Sequence, residues 1–495
     1  MSSPTFSRRS LLRAAGLGAG AVALGGGALA ACSSSSSSSD GAITVNYWDS
    51  FVSQAPWVDN EIKLFQKANP KIKIKKTTQV SDQYPNLVSL AFRSDNAPDM
   101  FQLPKSPPLT QQVTQDWLTP LNKWATDSWQ SRYPENSFIE GNNEFAGKIY
   151  SAPFAGPAPS LQLYIHNGVF KNAGLTNPDG SVAIPKTWDD VSRAAAAIKA
   201  KSGGKVYGLG FGNSANTTLA WWLDLFVRGA GSPGGAASGG IDSMDSRVGK
   251  WTYASDRNYA DVIALLLNWK KNGYIYPNSM SISDEQARAY FERGQFGMTI
   301  GGVWNQPEWT EHKFTDYSLM TLPSPTGTPQ ALFYGPPGGY LFAVSSKAKH
   351  PDETFAWFDW LGGVDSGKRY VESGQGLSIY PAANDAKGIT SKPFAAYAAM
   401  AGTAVYGPQP TIRNPDVAKL TLGAVKPDIN DVLAGAYTGQ IKDVVGALSD
   451  LEGRRNSGLS DAIKKANGSG AKVSLSDFVF PDFDPMKPYT TKPAS

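Results

Sequence analysis

The segment Ile43-Thr44-Val45-Asn46-Tyr47-Trp48 alternates apolar and polar positions and predicts a half-buried strand ending at Asp49-Ser50. Val58, Ile62 and Phe65 then fall at helical spacing, and the predicted helix stops before Asn69-Pro70. Lys71-Ile72-Lys73-Ile74-Lys75 alternates again as a second strand. Tyr84 to Arg93 reads as a second helix ending before Asn96-Ala97-Pro98, and Met100 to Leu103 as a third strand closed by Pro104. This βαβαβ order predicts an α/β unit with a parallel, doubly wound sheet, whose ligands meet the carboxyl ends of the strands.

A second set begins with a strand at Tyr164-Ile165. Trp188 to Ala200 is a predicted helix opened by Thr187 and the acids Asp189 and Asp190. The expected order continues with a strand at Val206–Phe211, a helix at Leu219–Arg228 and a Gly/Ser/Pro-rich loop from Gly229 to Gly240. Helices follow at Tyr259–Lys271 and Asp284–Arg293, then a strand at Phe296–Ile300 that runs into Gly301-Gly302-Val303-Trp304. A strand at Tyr340–Val344 and helices at Pro351–Leu361, Val417–Ala434 and Ile441–Leu451 complete the prediction. A chain of 495 residues is long enough for about two domains of ordinary size.

The first 31 residues stand apart. Arg8-Arg9, followed by Leu11, Leu12 and Arg13, precede an uncharged Leu/Ala/Gly run from Ala14 to Ala31 that is too glycine-rich for a good spanning helix. This is the layout of a cleavable export signal, and the paired arginines point to the twin-arginine route. Leu29-Ala30-Ala31-Cys32 resembles the lipobox of bacterial lipoproteins. The resemblance implies that residues 1–31 are removed and that Cys32 is lipidated, with the serine run Ser33–Ser39 inside a tether over 32–42. The plainer reading is a secreted protein cut near Ala31, with Cys32 a bystander.

Composition narrows the function classes. The signal segment carries three arginines and no acid, so most of the formal net charge of +4 lies there and no nucleic-acid footprint remains. Cys32 is the single cysteine, which excludes disulfides. His166, His312 and His350 lack ligand spacing, so neither a metal nor a cofactor is expected. Fourteen tryptophans and twenty tyrosines are many, and flat apolar faces of this kind suit stacking on sugars.

Several stretches carry one resemblance. They are Trp117-Leu118-Thr119-Pro120-Leu121, Gly147-Lys148-Ile149-Tyr150-Ser151-Ala152-Pro153 with Leu163-Tyr164-Ile165-His166-Asn167, Pro185-Lys186-Thr187-Trp188-Asp189-Asp190, and Phe291 to Trp304 with its glycines and Met298. In this order and spacing the chain resembles the family 1 extracellular solute-binding proteins of bacterial ABC importers, similar to the maltose-binding proteins. The resemblance implies a two-lobed periplasmic-binding-protein-like α/β fold, each lobe a mostly parallel sheet flanked by helices, with a hinge between them. Lobe 1 is expected over 43–152 and 332–377 and lobe 2 over 153–331 and 378–490, with crossings near Pro153, Thr328 and Gly376. It further implies a non-enzymatic, monomeric receptor outside the cell membrane that closes on a carbohydrate and delivers it to ABC permease subunits.

A pyranose presents a flat C–H face to an aromatic plate and hydroxyls to Asp, Asn, Gln or Arg side chains. Trp304 and its neighbour Asn305 follow a predicted strand and two glycines, and by resemblance Trp304 occupies the position of a cleft tryptophan. Trp48 and Asp49 end the first strand, and Gln102 ends the third, beside Lys105. Asn213, Ser214 and Asn216 precede the pair Trp221-Trp222, of which at least one is expected in the cleft. Tyr334 adjoins a glycine-rich turn, and Tyr406 and Arg413 lie in a Pro-rich stretch. Core packing is the alternative for each aromatic; Trp188, Trp269, Trp357 and Trp360 have helical spacing and read as core. Two other functions stay open: the same fold on a non-sugar solute, and a secreted glycoside hydrolase, for which Asp49 and Asp99 would be the carboxylates at strand ends.

Overall fold

A computed structural model of the chain describes residues 41–492 except 82, 136, 237–239, 336–338 and 386–387. The signal segment and Cys32 lie outside the described residues. From Ala42 onward the chain forms one compact unit, built on two four-stranded sheets.

The first sheet has the order Phe342–Val344, Met100–Gln102, Ile43–Asp49, Ile72–Thr78. Ile43–Asp49 runs parallel to both neighbours, as βαβ crossovers require, and Phe342–Val344 closes one edge antiparallel. Alternation sends successive side chains to opposite faces. Tyr47, Met100 and Val344 join a core with Trp57, Phe65 and Trp357, whereas Phe101 and Ala343 join Tyr84, Val88 and Trp117 on the other side. The helix Ala55–Ala68 covers the first face and Tyr84–Arg93 the second.

The second sheet has the order Tyr317–Met320, Gln162–His166, Phe296–Gly301, Tyr207–Leu209. Only its last pairing is parallel, because Gln162–His166 runs against both of its neighbours. Sequence patterning missed Tyr317–Met320. Leu163, Ile165, Leu209 and Ile300 enter the larger core, with the helices Trp188–Lys201, Thr218–Gly229 and Arg257–Lys271. Tyr164, Trp309 and Tyr317 build a separate aromatic cluster on the opposite face.

Three stretches of chain lie side by side where the two halves meet. Pro153–Ala155 pairs with Gly339–Tyr340, and Phe154 and Gly156 exchange backbone hydrogen bonds with Ile379 and Leu377. Leu332 and Phe333 still pack in the larger core, while Phe342 is already in the other. The change of core thus falls between Phe333 and Phe342.

Two helix predictions near the C-terminus change. Val417–Ala434 is broken: a 3-10 turn at Pro415–Lys419 gives way to irregular chain, and a helix resumes only at Ile429–Thr438. Pro427 cannot continue a helix, and the Asp428 side chain starts the new one by accepting from the backbone N–H of Asn430 and Asp431. The final helix starts later than predicted and runs 25 residues, Val444–Gly468, capped by Asp443.

Candidate functional site

At the carboxyl ends of the first sheet, Gln102 Oε1 accepts hydrogen bonds from the backbone N–H (2.7 Å) and hydroxyl (3.0 Å) of Ser50. The Tyr84 hydroxyl reaches the carbonyls of Trp48 and Gln102, tying the two strand ends together. Tyr84 and Ser50 were not foreseen. Only the tertiary placement of a helix start against two strand ends reveals them. Asp49 is fully buried, and burial raises its carboxyl above the ordinary range, opposed by the Thr78 hydroxyl and the Lys76 charge. Trp48 is half-buried against the Tyr84–Trp117 cluster.

The matching edge of the second sheet is built by glycines. A Cβ added to Gly302 would lie within 3 Å of three indole carbons of Trp304, so the ring rests directly over that backbone. Gly301 makes the same room for the Asn305 amide. The run Gly301-Gly302-Val303-Trp304-Asn305 thus packs two large side chains onto a strand end that a Cβ would block. Trp304 is half-buried and meets Trp221 edge-on, with ring centroids 5.8 Å apart and planes at 69°. Asn305 is completely buried, yet neither its amide oxygen nor its nitrogen has a hydrogen-bond partner among the described residues. An unpaired buried amide of this kind is costly unless something supplies the missing bonds. Behind it, the Tyr164 hydroxyl donates to the Gly302 carbonyl at 2.8 Å and meets Gln306 at 3.5 Å. Tyr164 and Gln306 also escaped the sequence reading.

Other expected residues are placed differently. Trp222 is a correction: one residue beyond Trp221 on a helix is a turn of about 100°, which puts its ring at 1% exposure among Phe211, Phe226 and Trp269. Asn213 is buried and accepts from the Leu219 N–H, starting the helix Thr218–Gly229. Asn216 sits at φ +54° and donates to Asp431. Tyr334 is committed to packing, its ring between the Arg228 guanidinium and Phe483. Arg413 donates to the carbonyls of Ser476 and Val479 and lies 3.5 Å from the Phe480 ring centroid. It fastens the C-terminal segment. Tyr406 stays 40% exposed on a short strand paired with Phe333–Gly335. Among the tryptophans read as core, Trp269 and Trp357 are fully buried, and Trp188 and Trp360 pack at core margins.

Asp99 does not pair with Asp49. Its carboxylate accepts from the backbone and side chain of Asn46 and from the Lys349 N–H. The register aligns Tyr47 with Met100, which sets the two acids about 10 Å apart along the strands. The described residues contain no group of three or more potential metal ligands, and none of their helices is long and apolar enough to cross a membrane.

Two α/β halves joined along adjoining stretches of chain form a two-lobed α/β fold. Solved structures share this fold. The GacH receptor of Streptomyces glaucescens, solved unliganded and with acarbose, has a TM-score of 0.63 at 17% identity, covering 87% of this chain and 100% of its own. MalE from Bdellovibrio bacteriovorus bound to maltotriose has 0.62 at 15%, covering 85% and 100%. A structure described for xylan utilisation by the thermophile Caldanaerobius polysaccharolyticus has 0.64 at 18%, covering 83% and 100%. Among curated proteins, none matches the sequence. The chain belongs to the bacterial extracellular solute-binding protein family, whose profile matches residues 45–368.

Proposed function

We propose that this protein is the sugar receptor of an ABC importer, which captures an oligosaccharide between its two lobes and hands it to membrane permease subunits. The observation that carries the reading is the half-buried Trp304–Trp221 pair beside the unpartnered Asn305 amide. An aromatic plate next to unspent amide groups matches the two faces of a pyranose. The acarbose and maltotriose bound by structural neighbours support the same ligand class. Trp48 and Gln102 form the opposing rim, so a ligand touching both rims favours the closed arrangement by its differential affinity. The lobes are taken as 43–152 with the stretch after 341, and 153–333 with most of the C-terminal helices. The receptor acts as a monomer, exported by the twin-arginine route and held outside the membrane by lipid on Cys32.

Thermal-shift screening against mono- and oligosaccharides tests this. A true ligand raises stability by RT ln(1 + [L]/Kd). A panel of xylo-, malto- and chito-oligosaccharides without any shift, alongside a clear shift from a non-sugar solute, would overturn the sugar assignment.

A further inference from the structure

The edge strand Ile72–Thr78 of the first sheet and the helix Ala55–Ala68 beside it carry a surface of one sign. Between residues 42 and 81 the sequence sets six lysines against three acids. Each acid is already spent. Asp49 is fully buried, Asp59 holds Lys76 at 2.5 Å, and the buried Glu61 holds Arg369. The other five lysines, Lys63, Lys67, Lys71, Lys73 and Lys75, are all exposed, and none has an ion partner among the described residues.

Local geometry sets these charges side by side. Ile72 and Ile74 turn to the core, so alternation turns Lys73 and Lys75 away from it, about 7 Å apart along the strand. Lys63 and Lys67 are one helical turn apart. The helix is fastened along the strand, because Gln66 Oε1 accepts the Ile74 N–H at 2.9 Å. Lysines on an edge strand also blunt it against unwanted pairing. That role accounts for none of the charge on the helix, and Gln66 already covers the Ile74 N–H.

The chain enters the fold at this surface. Ile43 pairs with Ile72, and its N–H donates to the Lys71 carbonyl at 2.8 Å. Nine residues, 32–40, separate Cys32 from the first described residue, and nine residues reach at most about 30 Å. A lipid on Cys32 therefore keeps the lysines close to a phospholipid surface.

We propose that this lysine surface docks the first half of the molecule on anionic phospholipid headgroups, a second contact beside the lipid anchor, on whose reading above it rests. Lys67, Lys71 and Lys73 surround the amino end of the edge strand, whereas Trp48 and Gln102 end their strands at the opposite pole. Docking through these lysines leaves the candidate site open to solvent. At about 0.15 M salt the Debye length is only about 8 Å, so the patch orients an anchored protein and does not replace its lipid.

The test is flotation of the full Cys32→Ala chain with phosphatidylglycerol–phosphatidylcholine vesicles and with phosphatidylcholine vesicles alone. In that background Lys67→Gln/Lys71→Gln/Lys73→Gln removes the patch. Lys205→Gln/Lys271→Gln/Lys464→Gln removes the same charge from exposed positions elsewhere. Circular dichroism checks that each is folded, and residues 1–41 are otherwise common to all three proteins, so the ratio of affinities reports the lysines alone. Near an anionic surface each lysine contributes about fivefold. The patch variant is expected to bind the anionic vesicles about a hundredfold more weakly in dilute buffer, the control variant to bind as its parent does, and the difference to shrink with added salt. Equal weakening by both triple variants, or none by the patch variant, overturns the docking surface and leaves the anchor reading intact. The anchor reading fails separately, if Cys32→Ala protein stays on the cell membrane even with the three patch lysines neutralised.

Discussion

Replacing Gly302 with alanine adds a single methyl group beneath the Trp304 ring. Gly302 has no left-handed φ, so the backbone accepts an alanine. The obstruction is the indole itself, three of whose carbons would lie within 3 Å of the new Cβ. Carbon atoms pack at about 3.5–4.0 Å, so the ring must lift or rotate by at least about 1 Å. Trp304 starts the helix Asn305–Glu311 with its backbone in the right-handed helical region, which leaves side-chain rotation as the main way out. If a sugar face covers ~60–100 Å² of the ring, losing that contact at ~25 cal/mol/Å² costs about 1.5–2.5 kcal/mol, or roughly 10–70-fold in Kd. Because the ring is only partly buried, folding stability should change less than binding. Calorimetry on wild type, Gly302→Ala and Trp304→Ala gives the comparison, with Tm recorded for each. Trp304→Ala protein that binds the ligand as tightly as wild type would show that the ring is no part of the site, and the reasoning from the glycines would fail with it.

Replacing Arg228 with methionine strips the cation from Asp224, a carboxylate only 2% exposed, and removes the hydrogen bonds to the Pro233 and Gly234 carbonyls. Breaking a buried pair from one side costs ~3–5 kcal/mol, so calorimetry should record a Tm lower by several degrees; an unchanged Tm contradicts it. His166 gives a pH signature. Burial holds its imidazole below the ordinary range, and Nδ1 accepts the Val169 N–H that opens a helix. The unfolded chain therefore binds the proton more readily, and stability present above the unfolded pKa of about 6.5 falls as pH drops through the lowered folded value. His166→Asn keeps an acceptor for the helix start, so its Tm–pH curve should be flatter over that window; a curve parallel to wild type refutes this. His312 shifts the opposite way, raised by its hydrogen bond to Glu292, and is common to both proteins. Cys32→Ala should leave sugar binding intact and release the protein into the medium, measured by fractionation; retention on the membrane refutes the anchor.

The local elements were legible where one face of a segment is buried. Tyr84–Arg93 and Pro351–Leu361 have the predicted bounds, because a proline in the first turn and apolar spacing act within a few residues. The break inside Val417–Ala434 is set by Pro427, although the apolar spacing continues across it. Tyr317–Met320 was missed because its pairing with Gln162–His166 joins residues about 150 positions apart. The strand ends that carry the proposed site were legible. Which of two adjacent tryptophans enters the core was not, since Trp221 and Trp222 are chemically alike.

From its sequence alone this chain's α/β class and the two glycines that precede Trp304 can be read, because each is encoded within a short stretch. The tertiary structure decided what depends on distant partners. It buried Trp222, assigned Tyr334 and Arg413 to packing, occupied Asp99 with hydrogen bonds, and left the Asn305 amide without a partner among the described residues. Burial and hydrogen-bond satisfaction are sums over neighbours brought together by folding. No run of residues states in advance which polar groups that sum will leave over for a ligand.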